Sequence, residues 1–177
     1  LDDGADDGGG GQGGTCFIAG TLITLADRSL VLIETIVPGD IVLSYDTDTG
    51  KTVNARIAEV IHHLPEESDG YIMINNRLGV TREHELYVSG RWEYADNILI
   101  GDYLTESNGN IVFVESLEWI AGGVPTFNLH TEDETHNYFA NGVLVHNKMA
   151  RGGSWLVTRP TTYTFGEQGP ERVDITP

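Results

Sequence analysis

The sequence predicts an all-β domain, and three observations carry that expectation. Its apolar residues fall in short runs rich in Val, Ile and Leu. Turn signals built on Gly, Pro, Asn and Asp recur between those runs. No stretch of ten or more residues shows a convincing 3.6-residue apolar period. Many short strands with frequent turns bury their faces sheet on sheet.

Taken in order, strands are expected at about 21–25, 30–36 and 40–45, the last entered through Val37-Pro38-Gly39-Asp40. Asp48-Thr49-Gly50 leads into a long strand over 52–62, followed by 71–75, 85–88 and 97–100. After Asn108-Gly109-Asn110, the run 111–119 reads as one strand; Ala121-Gly122-Gly123 separates it from 124–130. Asn141-Gly142, a hairpin dipeptide, introduces 143–146. Helix should be scarce, a turn near 94–98 at most.

Composition divides the 177 residues into three parts. Residues 1–15 hold seven Gly and four Asp and almost nothing apolar, so they read as a flexible arm. Residues 16–147 carry twenty acidic and six basic residues among the apolar runs, and residues 148–177 turn Gly- and Pro-rich with a slight positive balance. The net charge of -17 and the absence of any run of five Lys/Arg argue against nucleic-acid and anionic-membrane partners. No apolar stretch approaches the roughly 20 residues of a membrane span. The acidic, Gly-rich start is unlike a secretory signal, so a cytoplasmic monomer is expected. Cys16 is the only cysteine, which excludes an internal disulfide and a four-Cys zinc site.

A weak internal repeat pairs Ile36-Val37-Pro38-Gly39-Asp40-Ile41 with Leu99-Ile100-Gly101-Asp102-Tyr103. Each is an apolar pair, a Gly-Asp turn and an apolar strand. Two ordinary turns of similar chemistry, or a duplicated β-subdomain, would both leave this trace.

Four short elements carry chemistry-bearing residues: Gly14-Thr15-Cys16-Phe17, Thr81-Arg82-Glu83-His84, Thr126-Phe127-Asn128-Leu129-His130, and His136-Asn137-Tyr138-Phe139-Ala140-Asn141-Gly142-Val143-Leu144-Val145-His146-Asn147. Alone, Cys16 is a buried small residue, His84 a surface strand histidine and Asn147 a turn residue. Together they resemble the Hint domain, the module shared by inteins, bacterial intein-like domains and the Hedgehog autoprocessing domain. A Cys opens the domain, a T-x-x-H follows, and H-N-Y-F-A-N-G-V-L-V-H-N closes it. The resemblance covers 16–147 and implies a horseshoe-like all-β fold of two pseudo-two-fold related β-subdomains. It also implies autocatalytic processing without cofactor or metal, the flanking segments being the only substrate.

The residue chemistry agrees. A Cys at a domain's first position can attack the preceding carbonyl and convert the Thr15–Cys16 amide to a thioester, provided the leaving amine is protonated and the carbonyl oxygen held. The resemblance assigns those two tasks to His84 and Thr81. At the other boundary the Asn147 side chain can attack its own backbone carbonyl, closing a succinimide and expelling the next amine, with His136 and His146 moving protons. Both junctions use histidines, so these residues are expected to cluster. His62 and His63 lie far from any motif and read as structural or solvent-facing; His130 could line the site.

Two departures from the intein pattern matter. Splicing inteins place Cys, Ser or Thr after the terminal Asn, whereas this chain has Lys148, whose ammonium is a poor nucleophile at neutral pH. Asn128 stands where an Asp or sometimes a Cys is usual, and an amide cannot ionise. One type of bacterial intein-like domain also lacks the acceptor nucleophile. The length of 16–147 leaves no room for a homing endonuclease. The tail, Arg151-Gly152-Gly153-Ser154-Trp155 through Gly166-Glu167-Gln168-Gly169-Pro170, resembles the C-terminal region of phage tail tape-measure proteins. A catalytically degenerate Hint fold serving as a structural insert in such a protein is the alternative reading. A Hedgehog-like domain that passes its thioester to an external nucleophile is a third, but a sterol-recognition extension is lacking.

Overall fold

The computed structural model describes residues 15–147. The two flanks read from sequence, with the tail resemblance, lie outside the described residues apart from Thr15. The strands are β1 (Phe17–Ile18), β2 (Leu22–Thr24), β3 (Leu30–Leu32), β4 (Ile41–Asp46), β5 (Lys51–His63), β6 (Gly70–Ile74), β7 (Leu78–Val80), β8 (Glu85–Val88), β9 (Arg91–Tyr94), β10 (Tyr103–Thr105), β11 (Ile111–Phe113), β12 (Leu117–Ala121), β13 (Thr126–Thr131), β14 (Asn137–Ala140) and β15 (Val143–His146). Three single 3-10 turns, η1 (Ile33–Thr35), η2 (Pro65–Glu67) and η3 (Ala95–Asn97), are the helical content of the described residues. None is long enough to cross a membrane.

The strands form two sheets, with order β12-β6-β7-β1-β13-β5-β4 in one and β11-β10-β8-β15-β14-β2-β3 in the other, and β9 added on β8. One apolar core draws Phe17, Val80 and Leu129 from the first sheet and Ile23, Leu86, Leu104, Tyr138, Val143 and Val145 from the second. The two chain ends of the domain both run through sheet interiors: β1 lies between β7 and β13, and β15 between β8 and β14.

The internal repeat is a duplicated subdomain. In one copy Ile33 N–H donates to Thr21 O at 2.7 Å; in the other Ala95 N–H donates to His84 O at 2.8 Å. Asp40 Oδ2 accepts from Val37 N–H at 3.0 Å, as Asp102 Oδ2 accepts from Leu99 N–H at 2.9 Å. Gly39 and Gly101 sit at φ of 100° and 99°. Their N–H groups donate to Ile57 O and Val114 O across the two halves' equivalent strands, at 2.8 and 2.9 Å. The paired segments are thus β2-β3-η1-β4-β5 and β8-β9-η3-β10-β11, related by a pseudo-two-fold, and His84 occupies the place of Thr21.

Several expected elements differ. Residues 97–100 form no strand: Leu99 and Ile100 are 68% and 61% exposed, because the Asp102 turn consumes their backbone. The expected strand 111–119 is two, β11 and β12, and 30–36 is β3 followed by η1. Strands β7, β9 and β14 were not anticipated from the runs, while β10 is the strand that the repeat places after Gly101-Asp102. β14 is buried at all four positions, so it lacks the alternation of a half-exposed strand.

The loop between β12 and β13 is packed tightly onto η2. A Cβ at Gly123 would stand 1.8 Å from Pro65 O and 2.9 Å from Ser68 O, both backbone atoms. Gly123→Ala should therefore lower unfolding free energy by about 1–3 kcal/mol in urea denaturation, the usual size of a forced overpacking.

Candidate functional site

The upstream junction is held by β1 and its neighbours. Phe17 pairs with Val80 and Phe127, and Ile18 with Thr126, which fixes Cys16 at the buried entrance of the strand, 1% exposed. Cys16 N–H, the nitrogen of the Thr15–Cys16 bond, donates to Thr81 Oγ1 at 2.8 Å. The Thr81 hydroxyl donates in turn to Cys16 O at 3.2 Å, and Thr81 N–H to the same carbonyl at 3.0 Å. Sequence reasoning put Thr81 on the carbonyl oxygen of the scissile bond. Its hydroxyl oxygen accepts from the nitrogen of that bond.

Asn128 reaches the same bond from β13. Its Nδ2 donates to Thr15 Oγ1 at 3.2 Å, while Oδ1 accepts from Tyr138 Oη at 2.9 Å and from Leu129 N–H at 2.8 Å. Tyr138 is fully buried, which pushes its pKa well above that of a free phenol and keeps the hydroxyl a donor. The amide of Asn128 thus orients the residue before the junction, using both its acceptor and its donor end.

The downstream junction ends β15. Asn147 is 1% exposed and its N–H donates to His136 O at 2.8 Å. Its side-chain amide satisfies both ends when Nδ2 donates to His136 O at 3.1 Å and Oδ1 accepts from Thr131 N–H at 2.6 Å and Thr131 Oγ1 at 2.9 Å. His136 has φ of 51°, a left-handed conformation uncommon for a residue with a side chain. The next residue anchors it: Asn137 Oδ1 accepts from Ser44 Oγ at 2.6 Å and Tyr45 N–H at 2.9 Å, and Nδ2 donates to Tyr45 O and Thr135 O at 2.9 and 3.1 Å. The rings of His136 and His146 lie 6.3 Å apart, and Trp92 meets His146 edge-on at 4.8 Å.

One contact joins the two junctions. His84, fully buried and packed at a tilt against Phe17 with ring centroids 4.2 Å apart, donates from Nε2 to His146 O at 2.6 Å. A carbonyl only accepts, so Nε2 carries the proton. Cys16, Thr81, His84, Asn128, His136, His146 and Asn147 are therefore linked through a short series of contacts. No group of His, Cys, Asp and Glu suited to a metal ion occurs among the described residues.

The fold matches known proteins. The family model for the pretoxin HINT domain matches residues 22–148. The chain belongs to this family. The bacterial intein-like domain from Clostridium thermocellum is 29% identical, with a TM-score of 0.67 over 75% of this chain and 98% of that one. The DnaB intein from Synechocystis sp. PCC 6803, at 18% identity and a TM-score of 0.63 over 77% and 100%, and the TvoVMA intein, at the same identity, TM-score and coverage, share the fold. No curated protein sequence matches.

Within this HINT domain two polar residues escaped the sequence reading. Thr131 carries no motif, yet it holds Asn147. His63 was read as distant from any motif, yet Cys16 is the largest cause of its raised pKa. The signal was two strands away: His63 pairs with Thr126, and Thr126 with Ile18. His62 is structural as expected, stacked on Phe127 at 4.5 Å. His130 lies within electrostatic reach of His136.

Three histidines, His62, His63 and His130, should titrate in two ranges. The Cys16 contact, aided by Glu67 and opposed by burial, pushes His63 up to about 9. Burial lowers His62, reinforced by the neighbouring His63, and lowers His130, reinforced by His136. A raised folded-state pKa means that the His63 contribution to stability is complete below about 6.5 and is lost as pH rises through about 9. The depressed pair acts oppositely, costing stability as pH falls below about 6.5. Imidazole NMR titration should place His63 in the upper range and His62 and His130 in the lower.

Proposed function

We propose that this HINT domain cleaves its own chain at Thr15–Cys16 and at Asn147–Lys148, with ligation of the flanks inefficient or absent. The observation that carries the reading is the His84 Nε2 contact to His146 O at 2.6 Å, which ties the proton donor of one junction to the backbone of the other.

At the first junction Cys16 Sγ attacks the Thr15 carbonyl carbon, the C–N bond breaks, and the thiol proton ends on Cys16 N, with the His84 ring as its carrier. The product is a Thr15 thioester on Cys16 and a free α-amine that Thr81 continues to hold. At the second junction Asn147 Nδ2 attacks the Asn147 carbonyl carbon, the bond to Lys148 N breaks, and that nitrogen leaves protonated. Holding Oδ1 with two donors from Thr131 polarises the amide, so its nitrogen gives up a proton more readily. His136 and His146 are the groups at hand to carry protons. The succinimide forms without water.

Lys148 favours cleavage over ligation, since an ammonium does not accept the thioester. The family's name places such domains in pretoxins; the corresponding proposal is that cleavage after Asn147 frees the segment that follows. The tape-measure resemblance of 148–177 proposes a phage tail protein as host, and the flanks are proposed to be the only substrate of a cytoplasmic monomer. The domain limits 16–147 follow from the two bonds.

Three outcomes test this by intact mass. Dithiothreitol or hydroxylamine should release residues 1–15 from the wild type and not from Cys16→Ala; equal release from both would exclude a thioester. Thr131→Val should slow cleavage after Asn147 by about tenfold, the worth of one hydrogen bond, while leaving thiol-dependent release intact. Lys148→Cys should raise the yield of ligated flanks at the expense of cleavage products, more so with Asn128→Asp beside it.

A further inference from the structure

The residue before the first scissile bond is touched by a side chain that can tell one residue type from another. β1 and β13 pair Phe17 with Phe127 and Ile18 with Thr126. Carried one step further, that register sets Asn128 level with Cys16. Asn128 is only 3% exposed, and its Nδ2 stands 3.2 Å from Thr15 Oγ1.

The amide has one orientation. A backbone N–H only donates, so the atom that meets Leu129 N–H at 2.8 Å is the oxygen. Tyr138 Oη donates to the same oxygen at 2.9 Å, and two donors fill the two lone pairs of Oδ1. Leu129 and Tyr138 are both buried, so the pair stays made. Nδ2, which donates and cannot accept, is therefore the end presented to residue 15. It asks for an acceptor there. Thr15 supplies one in its hydroxyl oxygen, and serine would carry an oxygen at the same γ position. Valine has the shape of threonine but offers Nδ2 no acceptor, and a buried donor that loses its partner is costly. A site built to hydrogen-bond a hydroxyl rejects the analogue that lacks it for this reason.

We propose that Asn128 selects the residue before the upstream junction, admitting a side chain with an acceptor oxygen at the γ position, threonine or serine, over an apolar one of equal shape. The contact acts by position. Threonine is stiff about its Cα–Cβ bond, so holding Oγ1 holds the residue whose carbonyl carbon Cys16 Sγ has to reach. Proper placement of the two reacting atoms is worth far more than the energy of the bond that secures it. The segments this domain releases upstream are then those that end in a hydroxyl-bearing residue. Asn128 forms and breaks no covalent bond in this role; it determines specificity through the orientation of Thr15.

The proposal rests on the autocleavage reading for its purpose, and one arm of its test does not. In the full chain, hydroxylamine-dependent release of 1–15, followed by intact mass, should be about tenfold slower in Thr15→Val and within about twofold of wild type in Thr15→Ser. Threonine and valine are equally branched beside the carbonyl, so that pair isolates the acceptor. Cleavage after Asn147 in the same samples should be unchanged, which a general loosening of the domain would not leave. In Asn128→Ala the threonine-to-valine rate ratio should fall to about one. The second arm needs no cleavage upstream: hydrogen exchange of the Asn128 side-chain amide is followed by NMR in Cys16→Ala, with and without Thr15→Val. Loss of the acceptor should speed that exchange about tenfold. Thermal midpoints report folding; if Asn128→Ala unfolds, the exchange comparison decides. Equal release from wild type and Thr15→Val, an unchanged ratio in folded Asn128→Ala, or equal exchange with and without Thr15→Val overturns the proposal. Exchange that differs as expected, with no fragment released by any protein, establishes the contact and removes the autocleavage reading.

Discussion

A two-residue strand, Phe17–Ile18, is the constraint on which the site depends. It pairs on both edges, with β7 and with β13, so the backbone immediately before it has no freedom to swing. Cys16 N–H is led onto Thr81 by that placement rather than by any long local element. The same logic holds at the far end, where β15 runs between β8 and β14 and delivers Asn147 to His136 O. Ladder hydrogen bonds are individually modest, about 1 kcal/mol net. Flanking a strand on both sides nevertheless makes its displacement cost several at once. Such a frame can hold two peptide bonds in reactive poses with side chains that are themselves hydrogen-bonded and buried.

The pseudo-two-fold explains how one fold brings two junctions together. Thr21 and His84 hold equivalent places in the two copies, each accepting at its carbonyl from the first N–H of a 3-10 turn. In one copy the side chain is a threonine whose hydroxyl satisfies Ile18 O at 2.7 Å. In the other it is an imidazole that crosses to His146 O. Duplication supplies a framework, and a single side-chain change on one copy places an imidazole where the two ends of the domain meet.

Legibility in the sequence followed the physics of each part. The Gly-Asp turns were readable because a positive φ and an Asx hydrogen bond demand those residue types at Gly39-Asp40 and Gly101-Asp102. Strand β14 was not, because Asn137, Tyr138, Phe139 and Ala140 are all buried and show no alternation. Strand β7 hid behind Gly79, which is required because a Cβ there would stand 2.7 Å from Ile18 Cδ1. The apolar pair Leu99-Ile100 imitated a strand while lying exposed in a turn. Among site residues, Cys16, Thr81, His84 and Asn147 announced themselves by motif. Thr131 did not, because its contact with Asn147 joins segments distant in sequence, which no local pattern encodes.

Asn128 and Lys148 depart from the intein pattern in the same direction. In the proposed reading, Asn128 uses an amide's two-ended hydrogen bonding to link Tyr138 to Thr15, a role a carboxylate could fill only by reversing the Thr15 contact. It gives up the charge that could activate an acceptor, and the chain offers no acceptor to activate. The residues of both proposed bond-breaking centres are present, with Cys16 and Asn147 each buried and held by several partners. Once the transfer step between the two centres is removed, neither reaction need wait for the other, and the outcome at each junction is set by its own local proton transfers.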